Sequence, residues 1–369
     1  MAHRSGWSRL FSGAALAVTA GLAAAGCTSG PASTSAGSAS GTATAPALSA
    51  AQARQVFDAY VATSDQATRT GDATLALSDV TGAQWAYVSA TFKANAYFHV
   101  RAPYENYVYA SPVLYLPEAA GYPRAFVVAV HRALAGSPPR QDMATWVAGV
   151  EEPVDGTVLM VFQQASATAP WQLASTSQLA AGMSLPPMAA DVSGQVQALA
   201  MSQAALLSRP DVVGPLQAAV VDEGPASPAA RVVASGPLTT GLYQAARGSD
   251  LGIGLRVPWG DVRQWDLDGS NYTKFALRTA DGGALVFYAM YLNTTVAVPG
   301  VLNDSPIRPG PRIAIPDPLL PLLPAGATAP HVSLEGQELL SFAAVDPPAG
   351  GGKIRVIAIG GGLTYASAS

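Results

Sequence analysis

The chain has 369 residues, with 24 acidic against 20 basic side chains and a formal net charge of −4. Hydrophobic residues make up 49% and charged residues only 12%, enough apolar material for two sizeable cores and too much length for a typical single one. A nucleic-acid-binding chain needs a concentrated basic stripe, and this composition argues against one.

The first 26 residues have the three parts of a secretion signal. There is a basic start at His3, Arg4 and Arg9, an apolar run from Leu10 to Leu22, and the small residues Ala23-Ala24-Ala25-Gly26. The run is rich in Ala and Gly and too short for a convincing membrane-spanning helix. Directly after it stands Cys27, the single cysteine of the chain. Together these residues resemble the signal and lipobox of bacterial lipoproteins, with the departure that Ala24, not leucine, lies three before the cysteine, and Leu22 five before. The resemblance implies a diacylglyceryl thioether on the Cys27 sulfur, cleavage before that residue, and a protein anchored to the outer face of the cytoplasmic membrane. Two acyl chains anchor stably where one is marginal. The competing reading is an ordinary secreted protein with a chance cysteine. Either way a lone cysteine has no disulfide partner, so the core alone holds the fold. Removing residues 1–26 takes away two arginines and no acid, leaving 18 basic and 24 acidic side chains. Attraction to anionic lipid is then left to the anchor.

Residues 28–47 read TSGPASTSAGSASGTATAPA. They are small, polar and aperiodic, the composition of a flexible tether, which as a random coil spans about 25 Å. Folding is expected from Leu48. Ser49 followed by Gln52 is a capping-box signature. Val56, Phe57, Tyr60 and Val61 then recur at helical spacing, with Gly71 as the stop. Trp85, Val88, Phe92 and Ala96 mark a second helix. Aromatic alternation follows at Tyr104, Tyr107, Tyr109 and Tyr115, interrupted by Pro103 and Pro112. Strands are expected over Arg124 to Leu134, Thr157 to Gln164, and from Trp171 through Leu173 and Ser175. After a break at Gly182 to Ala190, helices are expected at Val192 to Leu207, at Ser227-Pro228 through Val233 with Pro at the first helical position, and at Leu238 to Arg247. Strands return at Tyr272 to Arg278 and Ala284 to Val296. A proline-rich loop and a final hairpin close the chain, Glu338 to Val345 and Lys353 to Ile359 around a Pro/Gly turn.

Both halves thus run from helices to antiparallel strands. The expected architecture is α+β: a disordered tether, then two tandem domains, 48–182 and 190–369, each with helices packed on a curved antiparallel sheet. That element order resembles the cone-shaped nuclear transport factor 2-like fold. The helix at Ala51–Ser64, the segment GGALVFYAMYLNTTV and the end IRVIAIGGGLTYAS make the chain similar to an uncharacterised family of actinobacterial lipoproteins. That likeness implies an envelope location and no known activity.

Tests for chemistry are mostly negative. There is no G-x-S-x-G elbow, no Walker loop, and no G-x-G-x-x-G after a strand. Gly350–Gly352 and Gly360–Gly362 are expected at turns and strand ends. His99, His131 and His331 stand far apart without metal-ligand spacing, so no metal or cofactor is expected. Asp266-Leu-Asp268-Gly-Ser270-Asn271 faintly suggests a calcium loop, but Leu277 stands where the bidentate Glu would be, and an Asx-type turn accounts for it better. Glu151-Glu152 and Asp222-Glu223 are adjacent pairs that point apart and make no obvious acid–base couple. Trp259 and Trp265, beside Asp261 and Arg263, and the tyrosines from Tyr97 to Tyr115 suit either a core or an interaction surface. Cys27 is therefore the one site residue assigned, as the lipid attachment point. The expected function is that of a non-catalytic, lipid-anchored envelope protein that interacts with a protein partner or supports assembly. The alternatives are a small-molecule or lipid-binding module with an apolar pocket, and an enzyme with an unrecognised site.

Overall fold

A computed structural model describes residues 48–104, 106–118, 121–135, 155–191, 195–247, 262–269, 272, 274–297 and 312–369. Cys27 and the tether lie outside the described residues. Residues 44–369 belong to one compact unit.

The first helix is written into local sequence. In α1 (Ala50–Thr70) the Ser49 Oγ accepts from the Gln52 N–H at 3.3 Å, and the Gln52 Oε1 accepts from the Ser49 N–H at 2.9 Å. This is the reciprocal cap that the sequence signature anticipates. Gly71 ends the helix at φ 70, where glycine is free of the Cβ penalty. A short α2 (Ala73–Ser78) and then α3 (Gly82–Tyr97) follow. In α3 the expected apolar stripe is not the buried face. Trp85 is 48% exposed, and the helix docks through the small residues Ala83 and Ala90, whose lack of bulk permits close approach.

Strands β1 (Tyr107–Pro117), β2 (Arg124–Leu134), β3 (Asp155–Gln164) and β4 (Trp171–Leu179) pair antiparallel in sequence order. Residues 195–207, expected as helix, instead start with a two-residue strand, β5 (Gln195–Val196), and continue irregularly. Then come α4 (Val213–Glu223), a 3-10 turn opened by Ser227 and Pro228, and α5 (Leu242–Arg247). The second run of strands is β6 (Val262–Gly269), β7 (Phe275–Arg278), β8 (Ala284–Ala297), β9 (Ser333–Asp346) and β10 (Arg355–Ala368).

The strands join in one sheet with the order β5-β1-β2-β3-β4-β10-β9-β8-β6, and β7 pairs β8. The halves anticipated as 48–182 and 190–369 therefore meet edge to edge, at Ala358↔Leu179 and Ile359↔Gln178. The sheet curls until its inner face packs on itself: Val127 and Leu159 of the first half share a buried cluster with Leu285, Phe287, Val345 and Ile357 of the second. Residues 195–198 bridge the two ends of the curl. Gln195 and Val196 pair with Leu116 and Pro117, while Ala198 bridges Leu277 of β7. The edges of β1 and β7 present unpaired backbone groups, and an extended linker satisfies them where a helix could not.

Helices cover the outer face. Phe57 of α1 packs on Phe126, Val128, Met160 and Phe162. Val213, Val220 and Val221 of α4 and Leu242 of α5 pack on Val286, Tyr288, Met290 and Phe342. Helix α3 lies on the inner side, with Ala83 against Ala289 and Leu339. Strands covered on both faces read as continuous apolar runs, which explains AFVVAV, VLMVF, ALVFYAM and VIAI. Each fully buried Leu, Val or Phe contributes roughly 1.5–3 kcal/mol. Helices on both faces depart from the one-sided cone suggested by element order.

Gly360 and Gly361 are a second departure. They lie inside β10 rather than at its end. A Cβ on Gly360 would run into the Thr176 carbonyl oxygen, and one on Gly361, at φ +105, into that of Leu339. The strand crosses its neighbours there too closely for a side chain.

Candidate functional site

An open cleft of about 550 Å³ lies where α1 begins. Its size falls within the roughly 300–1,000 Å³ of ligand sites. The capping geometry sets Gln52 and Gln55 on one wall, and the ends of β2, β3 and β4 set Tyr122, Arg124, Gln164 and Trp171 on the other. Leu48, the first described residue after the tether, is also in the lining. Several of these side chains are held in place. The Gln164 Nε2 donates to the Ala169 carbonyl at 2.9 Å, the Arg124 guanidinium lies 4.5 Å from the Tyr122 ring centre, and the Trp171 ring meets Phe126 edge-on at 5.1 Å. The wall carries amides, aromatic rings and one cation, and no carboxylate or histidine. Its chemistry is recognition by stacking and hydrogen bonding; it contains no pair able to exchange a proton at neutral pH.

The second concavity is a void of about 30 Å³ between the first turn of α3 and the inner face of the curl, near Phe287 and Tyr272. That is room for about one water molecule.

Sequence reading missed the buried carboxylates, Glu338 and Asp346. Asp346 ends β9, and burial pushes its carboxyl up to about 7, a rise partly offset by the Ser208 backbone N–H. It lines neither concavity. Its only sequence signal is its place between the apolar strand LLSFAAV and Pro347, which reads equally well as a solvated turn. Tyr60 is likewise pushed up to about 12 by burial against Phe162, at 5.7 Å. Among the described residues, no three His, Cys, Asp or Glu side chains come together as a metal site.

The family model described as Domain of unknown function (DUF8094) matches residues 44–368. The chain belongs to the DUF8094 family. The DUF8094 match thus spans nearly all of the described residues and leaves residues 1–43 outside it. A protein of Streptomyces avermitilis named "Uncharacterized lipoprotein" is 27% identical over 317 residues, which are 84% of this chain and 82% of that one. No solved structure matches this DUF8094 chain.

The structure of the DUF8094 chain scatters the residues singled out from sequence. Cys27, Glu151, Glu152, Trp259, Asp261, Ser270 and Asn271 lie outside the described residues. His99 is exposed just past α3, and the His331 Nε2 accepts from the Arg312 Nε at 3.2 Å. His131 sits on β2 with its Nε2 2.8 Å from Asp155 Oδ1, both side chains about half exposed. Arg263, Trp265, Asp266 and Asp268 all lie in β6, paired with β8 from Val296 to Tyr291. The expected turn over Asp266–Asn271 is therefore strand as far as Gly269, because ladder pairing to β8 outweighs local Asx bonding. Asp222 and Glu223 end α4, with Glu223 exposed. The tyrosines divide by role: Tyr109 is packed on Phe57 at 5.9 Å with its hydroxyl pKa raised by burial, Tyr107 lies under the Arg132 guanidinium at 4.5 Å, and Tyr97 faces solvent.

Proposed function

We propose that this chain works outside the cytoplasmic membrane as a lipid-anchored, non-catalytic interaction module. Cys27 carries the lipid, residues 28–47 form the tether, and the α1 cleft receives an envelope protein partner. The observation that carries the reading is the make-up of that cleft. An open surface of about 550 Å³ with Trp171, Tyr122 and three glutamine amides on its wall has the aromatic-plus-amide character of a protein-binding patch. The anchor is supported by the basic start, apolar run and small-residue stretch before the single cysteine, and by the name of the Streptomyces avermitilis relative. No helix of the described residues is long and apolar enough to cross a membrane. A module built around an enclosed apolar pocket would need about ten times the room of the 30 Å³ void inside the curl.

The test is in-cell cross-linking with mass spectrometry, with a photo-cross-linking amino acid in place of Gln55. One dominant protein adduct, lost on Trp171→Ala, is expected. The same adducts from a cross-linker at Glu335, which is exposed on β9, would refute the cleft as the binding surface.

A further inference from the structure

The helix α3 ends in four exposed residues of unusual composition. Tyr97 is 50% exposed, Phe98 40% and Val100 43%, and the Tyr97 and Phe98 rings meet edge-on at 5.1 Å. His99 between them has φ 52, in the left-handed region where a glycine would be usual. The Val100 N–H donates to the Asn95 carbonyl at 2.9 Å and the His99 N–H to that of Ala96 at 3.2 Å. This cap is a fixed turn that holds the apolar side chains outward. Lys93, one helical turn back, and Arg101 are exposed beside them. Aromatic residues edged by cations favour the membrane–water interface, where the ring lies among headgroups and the cation meets lipid phosphate.

The position of this tip relative to the tether matters. The loop after it returns to the last turn of α1: the Tyr104 N–H donates to the Thr68 carbonyl at 2.8 Å, and Ala102 lies 3.5 Å from where a Gly71 Cβ would stand. The tether joins the other end of α1, 21 residues away, or about 31 Å along the helix. A chain attached at Cys27 must cover a distance on that order for the tip to touch the bilayer. Residues 28–47 have a random-coil span of about 25 Å and an extended reach near 70 Å. The tether therefore reaches that far at an extension between its coil span and its full reach, well short of being pulled taut.

We propose that Tyr97, Phe98 and Val100 form a second, reversible membrane contact, seated on the lipid surface that holds the anchor. The proposal rests on Cys27 being the anchored residue. It fixes the orientation of the body: the tip faces the bilayer, and the cleft at the start of α1 is turned outward, toward partners.

The test avoids dependence on biological acylation. The mature chain, residues 27–369, is coupled through its single thiol, Cys27, to a maleimide-headgroup lipid in vesicles of 30% phosphatidylglycerol in phosphatidylcholine. A photo-cross-linking amino acid replaces either Phe98 or Trp85, which is at least as exposed but about 20 Å further back along α3. Adducts to lipid at least fivefold more abundant at position 98 are expected. In the same vesicles Tyr97→Ser with Val100→Ser should bring the position-98 yield down to the position-85 level. Equal yields at the two positions, or a position-98 adduct to another protein chain in place of lipid, would overturn the proposal. Failure of the anchor reading shows separately, as unchanged membrane association of Cys27→Ser in cells.

Discussion

Replacing Gly361 by alanine probes the tightest crossing in the sheet. Gly361 has φ +105, and a Cβ there would overlap the Leu339 carbonyl oxygen of β9. An L-residue forced into left-handed backbone costs about 1–2 kcal/mol, and overpacking a site that cannot relax adds about 1–3 kcal/mol. The clash is with backbone, which yields less readily than the end of a flexible side chain. Gly361→Ala should therefore destabilise by about 2–5 kcal/mol. Gly282 supplies the control, because its φ is +86 but nothing lies within 4 Å of its would-be Cβ; Gly282→Ala should cost only the backbone share, about 1–2 kcal/mol. Urea unfolding of residues 27–369 carrying Cys27→Ser, followed by far-ultraviolet circular dichroism, measures both. By the entropy scaling of unfolding, each kcal/mol in a unit of this size shifts the thermal midpoint by roughly 1.5 °C. Equal losses for the two variants would mean that β10 does not run this close to β9, and the account of Gly361 would be wrong.

Two other outcomes are expected. Cys27→Ser should move the protein from the membrane fraction to the soluble or released fraction; retention at the wild-type level would refute the lipid anchor. Because the Asp346 pKa is raised in the folded chain, to about 7, the native state binds more protons than the unfolded one between about pH 4 and 7. Its contribution is fully present at lower pH and is lost as pH rises through that window. Asp346→Asn should flatten the decline in urea stability between pH 4 and 7, and an unchanged slope would refute the assignment.

The sequence by itself determined the local features. The Ser49–Gln52 cap and the Gly71 stop delimit α1 because each is a contact within a few residues. The bounds Arg124–Leu134 are those of β2, since a long β-rich apolar run between turn residues has few other ways to satisfy its backbone. The opening Ser227-Pro228 turn was legible for the same local reason. The proposal of lipid attachment at Cys27 likewise rests on charge, apolar length and small residues in the sequence. Only the tertiary structure decided how these pieces meet. The joining of β4 to β10, the curl that brings Val127 toward Phe287, and the extended linker over 195–198 all depend on partners more than 70 residues apart. The same holds for the cleft, whose two walls come from α1 and from the ends of β2 to β4. Apolar runs buried on both faces carry no alternation to say which side faces what, so the sequence could give the strands but not the faces they share. Gly360 and Gly361 read as an ending because nothing in the neighbouring residues announces the Thr176 and Leu339 carbonyls that exclude a side chain there.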